Sequence, residues 1–327
     1  MVLKPKIFVT RKIPHQALSY LEKYAEVAMW EEEDIPVPRE VLEKEIETVD
    51  GLYCLLTDKV DEPLIKRAKQ LKVISNMAVG YNNIDIRSAA NHGIIVTNTP
   101  DVLTETTADL TFALLMATAR RLVESQHFLH QGKWQSWSPM LLTGQDIFGA
   151  TIGIIGLGRI GEAVARRAKG FDMNVLYYNR RRKPELEARL NVQYEPLNDL
   201  LAAADFICIL TPYTDETRDL ISDEQFKLMK ASAIVINTSR GGIVNENALY
   251  RALVNKEIWA AGLDVFEEEP VPLDHPLLTL PNVVALPHIG SASIQTRVNM
   301  AVMAAKNLIG VLQGNPEDAS IHKVNRN

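Results

Sequence analysis

Residues 151–183 read TIGIIGLGRIGEAVARRAKGFDMNVLYYNRRRK. A short apolar run, Ile152, Ile154 and Ile155, leads into Gly156, Gly158 and Gly161, spaced as G-x-G-x-x-G. Ile160, Ala163, Val164 and Ala168 then recur at helical spacing, and a second apolar run over 175–178 closes the stretch. Strand, tight turn, helix and strand in this order predict a βαβ unit. Each glycine has its own task there. Gly156 permits the turn, Gly158 lets backbone approach a pyrophosphate, and Gly161 lets the helix pack on its strand. The helix start presents N–H groups and a positive dipole end to phosphates. A glycine-rich turn without a ligand is the plainer alternative. With both strands and the helix in place, Gly156-Leu157-Gly158-Arg159-Ile160-Gly161 predicts dinucleotide binding.

The end of the second strand carries a further signal. NAD-selective sites place Asp or Glu about 20 residues beyond the turn, on the ribose 2′-OH. This chain has Asn179, followed by Arg180, Arg181 and Arg182. No carboxylate repels a 2′-phosphate here, and guanidinium groups pair well with one. A solvated basic turn is the other reading. The position at the ribose end favours NADPH as cofactor, with NADH possible.

A chain of 327 residues predicts two domains, each with its own core. The net charge of −6 argues against a nucleic-acid partner. Cys54 and Cys208 lie in apolar, strand-like runs and read as buried thiols, with neither a disulfide framework nor a metal site expected. No apolar stretch reaches membrane-spanning length, and residues 1–14 lack a signal-peptide core, so a soluble, cytoplasmic protein without membrane association is expected.

Strands are expected at 6–9, 27–30, 51–56, 72–76 and 94–96, separated by helical patterns at 14–24, 38–47, 61–70 and 84–91. That alternation predicts a parallel sheet covered on both faces. Residues 101–131 read as one long helix, followed by a loop with Trp134 and Trp137. After the βαβ unit come strands at 205–210, 233–237, 259–263 and 283–285, with helices at 222–230 and 245–255. A last stripe, Ile294, Val298, Ala301, Val302, Ala305, Leu308, Ile309 and Leu312, predicts a helix, and the polar tail after Gly314 is expected to pack or fray.

Arg240, Glu269 and His288 fall just beyond three of these strands. Ligands of open α/β sheets bind at the carboxyl ends of strands. A hydride-transfer cofactor needs a residue that moves a proton, and histidine titrates near neutrality. A carboxylate on its other nitrogen would fix the tautomer, and an arginine would hold a substrate carboxylate or carbonyl oxygen. Taken singly, each has a plainer reading: a structural histidine, a helix-cap ion pair, a solvated run of glutamates. Spacing alone does not show that the three meet.

The segments SRGGIV (239–244), AAGLDVFEEEP (260–270) and PHIGSAS (287–293), behind GLGRIG, resemble the D-isomer-specific 2-hydroxyacid dehydrogenases. The likeness extends to AVGYNNIDI (78–86) and TNTPDVLTETTADL (97–110), and is greatest to the glyoxylate/hydroxypyruvate reductases, with 2-ketogluconate reductases next. The resemblance implies two doubly wound parallel-sheet α/β domains, a Rossmann cofactor domain (101–287) inserted in a flavodoxin-like substrate domain (1–100 plus 288–327). It implies that His288 protonates the carbonyl oxygen, Glu269 pairs with it, and Arg240 binds a small 2-oxoacid. Val79 and Gly80 would hold the substrate carboxylate through backbone N–H groups. Leu210, Thr211, Pro212, Thr238 and Ser239 would line the cofactor groove, with Thr107, Asp264 and Gly290 near the nicotinamide. Catalysis would follow domain closure.

Family members selective for NAD carry Asp where this chain has Asn179, as its NADPH-using reductases do. The segment Trp134–Leu142 resembles the dimer-crossing loop of the glyoxylate/hydroxypyruvate reductases. It implies a homodimer in which Trp137 either limits substrate size in the partner's site or is buried in the interface. The alternatives are 2-ketogluconate reduction and, in another class, a dinucleotide-sensing corepressor-like binding protein, since fold does not fix function.

Overall fold

The computed structural model describes residues 4–315 and 322–325. The chain divides into two compact units, one built from the segments up to Leu103 and from Ala292 onward, the other from Thr104–Ser291.

The first unit holds strands β1 (Lys6–Val9), β2 (Glu26–Met29), β3 (Gly51–Cys54), β4 (Val73–Asn76) and β5 (Ile95–Thr97). Their order is β2-β1-β3-β4-β5, all parallel, the flavodoxin-like order. β3 and β4 are buried at every residue, so they read as continuous runs, whereas edge strand β2 alternates exposed and half-buried positions. Helices α1 (His15–Tyr24), α2 (Arg39–Glu45), α3 (Glu62–Ile65) and α4 (Ile86–Asn91) connect the strands. The helical pattern over 61–70 closes after a single turn, with Asp61 capping it and a Pro inside its first turn.

The helix Ile294–Leu312 returns to this sheet, capped by Ser293. Ala301, Ala304 and Ala305 let it approach β3 and β4 closely, and Tyr53 Oη and Ser75 Oγ donate to its Ala301 and Ala304 carbonyls at 3.1 and 2.7 Å. Ile294, expected on the buried stripe, is 90% exposed because only later turns lie over the sheet. Of the tail, residues 322–325 run beside β5, with Val324 N–H donating to the Val96 carbonyl. Residues 316–321 and 326–327 lie outside the described residues.

The second unit has a seven-stranded parallel sheet: β6 (Thr151–Ile155), β7 (Asn174–Tyr178), β8 (Gln193–Tyr194), β9 (Phe206–Ile209), β10 (Ile234–Asn237), β11 (Ala260–Leu263) and β12 (Val283–Ala285). The order β12-β11-β10-β9-β6-β7-β8 places the reversal of winding between β6 and β9. The helical pattern over 101–131 is two helices, α5 (Thr104–Ala119) and α6 (Leu122–His130). Arg121 between them is left-handed (φ 53°) and its guanidinium is clamped by Glu124 at 2.7 and 2.8 Å. Hydrophobic periodicity does not record a change of direction at one residue. Helices α7 (Arg159–Ala168), α8 (Pro184–Leu190), α9 (Leu197–Ala203), α10 (Asp223–Leu228) and α11 (Glu246–Val254) complete the unit.

Cys54 and Cys208 are free and buried in β3 and β9, and burial pushes the Cys208 thiol up to about 12. No group of metal-ligating residues and no helix long and apolar enough to cross a membrane occurs among the described residues.

Candidate active site

The glycine turn links β6 to α7 at the winding reversal. Gly156 has φ +104°, and a Cβ there would lie 2.7 Å from Leu210 C and Thr211 N. The end of β9 therefore presses against the turn, and Leu210 N–H donates to the Ile155 carbonyl at 2.8 Å. A Cβ on Gly161 would overlap the Gly156 carbonyl, so α7 starts tight against the turn. Gly158, the residue capping α7, has open space around it. Leu157 is buried, whereas Gly158 and Arg159 are exposed and Ile160 is half-buried. These are the features a pyrophosphate cradle requires: donors at a helix start and an approach clear of side chains.

At the end of β7, Asn179 Oδ1 accepts the Leu157 N–H at 2.7 Å, so this side chain braces the turn. Arg180 and Arg181 are exposed. Arg182 is diverted: Glu187 holds it at 2.7 and 2.8 Å, and it lies over the Tyr194 ring. Arg182 and the Tyr177 hydroxyl hold the Glu187 carboxyl down at about 2. Lys183, which sequence reading did not single out, reaches back to the Leu157 carbonyl at 2.7 Å.

Thr107, Asp264 and Gly290 converge. A Cβ on Gly290 would lie 3.2 Å from Asp264 Oδ2 and 3.5 Å from Thr107 Cγ2. Asp264 is 1% exposed and its Oδ1 accepts the Ile289 N–H at 2.8 Å. Its buried Oδ2 has no hydrogen-bond partner among the described residues. Burial pushes this carboxyl up, opposed by the Ile289 N–H, the charge of His288 and, more weakly, the nearby Gly290 N–H. An orphaned buried oxygen beside a glycine suits an amide donor of a bound group. The residues present fit a nicotinamide dinucleotide.

Arg240, Glu269 and His288 follow the ends of three adjacent strands, β10, β11 and β12. His288 Nδ1 lies 2.7 Å from Glu269 Oε2, and Phe266 N–H donates to Glu269 Oε1 at 3.0 Å. A carboxylate accepts only, so Nδ1 carries the proton and Nε2 is left for chemistry. Burial pushes the Glu269 carboxyl up. The bond and charge of His288, the Phe266 N–H and Arg240 outweigh it, leaving the group below its ordinary value. His288 adopts φ +56°, a left-handed conformation that non-glycine residues hold when surroundings enforce it.

Asn237, also missed in the sequence, shapes the Arg240 loop. Its Oδ1 accepts from the Ser239 N–H and hydroxyl at 3.1 and 2.9 Å, and its Nδ2 donates to the Arg240 carbonyl at 2.9 Å. An Asn at a strand end, two residues before Ser, is a turn signal of this kind. Arg240 is half-buried and donates to the Ser239 carbonyl at 2.6 Å. Burial lowers its proton affinity and the charge of Glu269 opposes this. Thr238 Oγ1 meets Thr111 Oγ1 of α5 at 2.7 Å, and the Pro212 carbonyl accepts from Thr217 at 2.8 Å.

Val79 and Gly80 belong to the first unit. Their carbonyls accept from Asn98 Nδ2 at 2.8 Å and Asn76 Nδ2 at 2.9 Å. Neither N–H has a protein acceptor among the described residues. Trp137 is 79% exposed in a segment without helix or strand.

The family model for "D-isomer specific 2-hydroxyacid dehydrogenase, NAD binding domain" matches residues 112–290. The chain belongs to this family. It is an enzyme of the D-2-hydroxyacid dehydrogenase class, with a nicotinamide dinucleotide as its cofactor. A glyoxylate reductase of Korarchaeum cryptofilum is 50% identical over 313 residues, 95% of this chain and 94% of that protein. One of Pyrococcus horikoshii is 50% identical over 316 residues, with 95% and 94% covered. The crystal structure of an NADPH-dependent glyoxylate/hydroxypyruvate reductase of Sinorhizobium meliloti, in complex with NADP and malonate, matches with TM-score 0.86 at 33% identity. It covers 99% of this chain and 100% of that one.

Proposed function

We propose that this dehydrogenase reduces a small 2-oxoacid, glyoxylate or hydroxypyruvate, to glycolate or D-glycerate with NADPH. The observation that carries this reading is the 2.7 Å His288–Glu269 pair on the loops beyond β11 and β12, with Arg240 on the neighbouring loop. A bound nicotinamide dinucleotide would supply the hydride for the carbonyl carbon. Glu269 holds Nδ1–H and stabilises the imidazolium, so Nε2–H of His288 donates its proton to the developing alkoxide. Arg240 keeps a permanent charge for the carboxylate or carbonyl oxygen.

NADPH is favoured by Asn179, which presents no negative charge, and by the two exposed arginines that follow. The similar Sinorhizobium meliloti enzyme is NADPH-dependent. We further propose a homodimer. Helix α6 buries none of its residues, and Leu122, Leu129, Trp134, Trp137, Met140 and Phe148 are exposed. Such an apolar run marks an interface.

The direct test follows NADPH absorbance with glyoxylate, hydroxypyruvate and 2-ketogluconate, for wild type and His288→Asn. Turnover that falls by about 10²- to 10⁴-fold in the variant supports the proton donor. Turnover that survives refutes it, and the best of the three substrates decides the specificity.

A further inference from the structure

A second carboxylate–imidazole pair stands behind the first. Glu246, the first residue of α11, meets His275 Nε2 with its Oε2 at 3.1 Å and accepts the Glu267 N–H on Oε1 at 2.6 Å. Both side chains are largely buried. The His275 ring meets the Phe266 ring edge-on, with centroids 6.0 Å apart. The preceding N–H, of Phe266, goes to Glu269 Oε1 at 3.0 Å. Two consecutive backbone N–H groups thus serve two carboxylates, one from each pair.

The same peptide has a second neighbour. A Cβ on Gly241 would overlap the Phe266 carbonyl carbon and oxygen, so the loop carrying Arg240 is packed onto it. The Phe266–Glu267 peptide therefore has Glu246 on its N–H and the Arg240 loop at its carbonyl. Rotating it would displace the residues leading to Glu269. A charged acceptor binds an N–H more strongly than a neutral one, and the His275 contact keeps the Glu246 carboxylate from swinging away.

We propose that Glu246 and His275 are positioning residues: they set the Phe266–Glu267 peptide, and through it the placement of Glu269 against His288. This rests on the reading of His288 and Glu269 as the proton-transfer pair. Small misplacements of such groups are costly, on the order of tenfold to a hundredfold in rate.

The test is a double-mutant cycle on the full-length protein, with NADPH and glyoxylate as reactants and NADPH affinity measured separately by fluorescence. Glu246→Ala should lower kcat at least tenfold with NADPH affinity unchanged within about twofold. Glu246→Gln, which keeps an oxygen for the Glu267 N–H, should recover most of that loss. In a Glu269→Gln background, Glu246→Ala should cost little more, because it acts through Glu269. Wild-type kcat in Glu246→Ala, or full additivity with Glu269→Gln, overturns the proposal. If Glu246→Ala does not fold, His275→Ala carries the same cycle, and the same two outcomes decide. Full activity in His288→Asn would instead remove the underlying reading, which separates the two failures.

Discussion

Lys183 donates its ammonium to the carbonyl of Leu157 at 2.7 Å, across the mouth of the glycine turn. Asn179 takes the N–H of the same Leu157, so both polar groups of one turn residue are held by side chains beyond β7. The turn's geometry and the local charge at the ribose end are set by the same residues.

Replacing Asn179 by Asp keeps an acceptor for Leu157 and adds a negative charge where a 2′-phosphate would lie. Asn179→Asp should lower kcat/KM for NADPH by roughly tenfold or more while leaving that for NADH equal or higher. Initial rates with both cofactors at fixed glyoxylate check it. An unchanged ratio would show that the ribose is read elsewhere.

Gly158 and Gly161 should behave oppositely. Gly158→Ala meets open space in the protein, so its Tm should stay within error, yet its methyl group would stand in the pyrophosphate approach and weaken NADPH binding. Gly161→Ala collides with the Gly156 carbonyl and should cost about 1–3 kcal/mol of stability. Thermal melts paired with cofactor titration by fluorescence distinguish the two.

Glu269→Gln should lower kcat by roughly 10²-fold, since it removes the charge that supports the imidazolium. Its pH signature follows from a folded pKa below the ordinary 4.5. The ionised carboxylate's contribution to stability is complete above that value and is lost as pH falls through the lower folded value. The Tm of wild type minus that of the variant should shrink as pH falls below about 4.5. A difference that grows as pH falls through that lower range would contradict the assignment.

Light scattering should return about twice 36.5 kDa. Trp137→Ala then separates the two roles of that side chain. A gain in turnover of bulkier 2-oxoacids with an intact dimer supports a role in substrate selection, whereas dissociation without a change in relative substrate rates supports an interface role.

Much of this molecule is legible along the chain because the physics is local. The Gly156–Gly161 spacing and the continuous apolar runs of β6, β9 and β10 are short-range patterns, which sequence carries directly. What depends on a single dihedral or a distant partner is not carried. The break at Arg121 turns one expected helix into two, and the exposure of Ile294 depends on where its helix meets the sheet.

The same division runs through the site. From the sequence alone came the two parallel α/β sheets, the dinucleotide turn and three candidate residues beyond strands β10, β11 and β12, each the product of short-range pattern. Only the tertiary structure brought His288 within 2.7 Å of Glu269, withdrew Arg182 to Glu187, aimed Lys183 at Leu157 and folded the Arg240 loop around Asn237. Those outcomes belong to side chains whose partners lie up to 26 residues away. Hydrogen-bond geometry between such groups is decided by how the loops pack, and packing is a property of the whole unit.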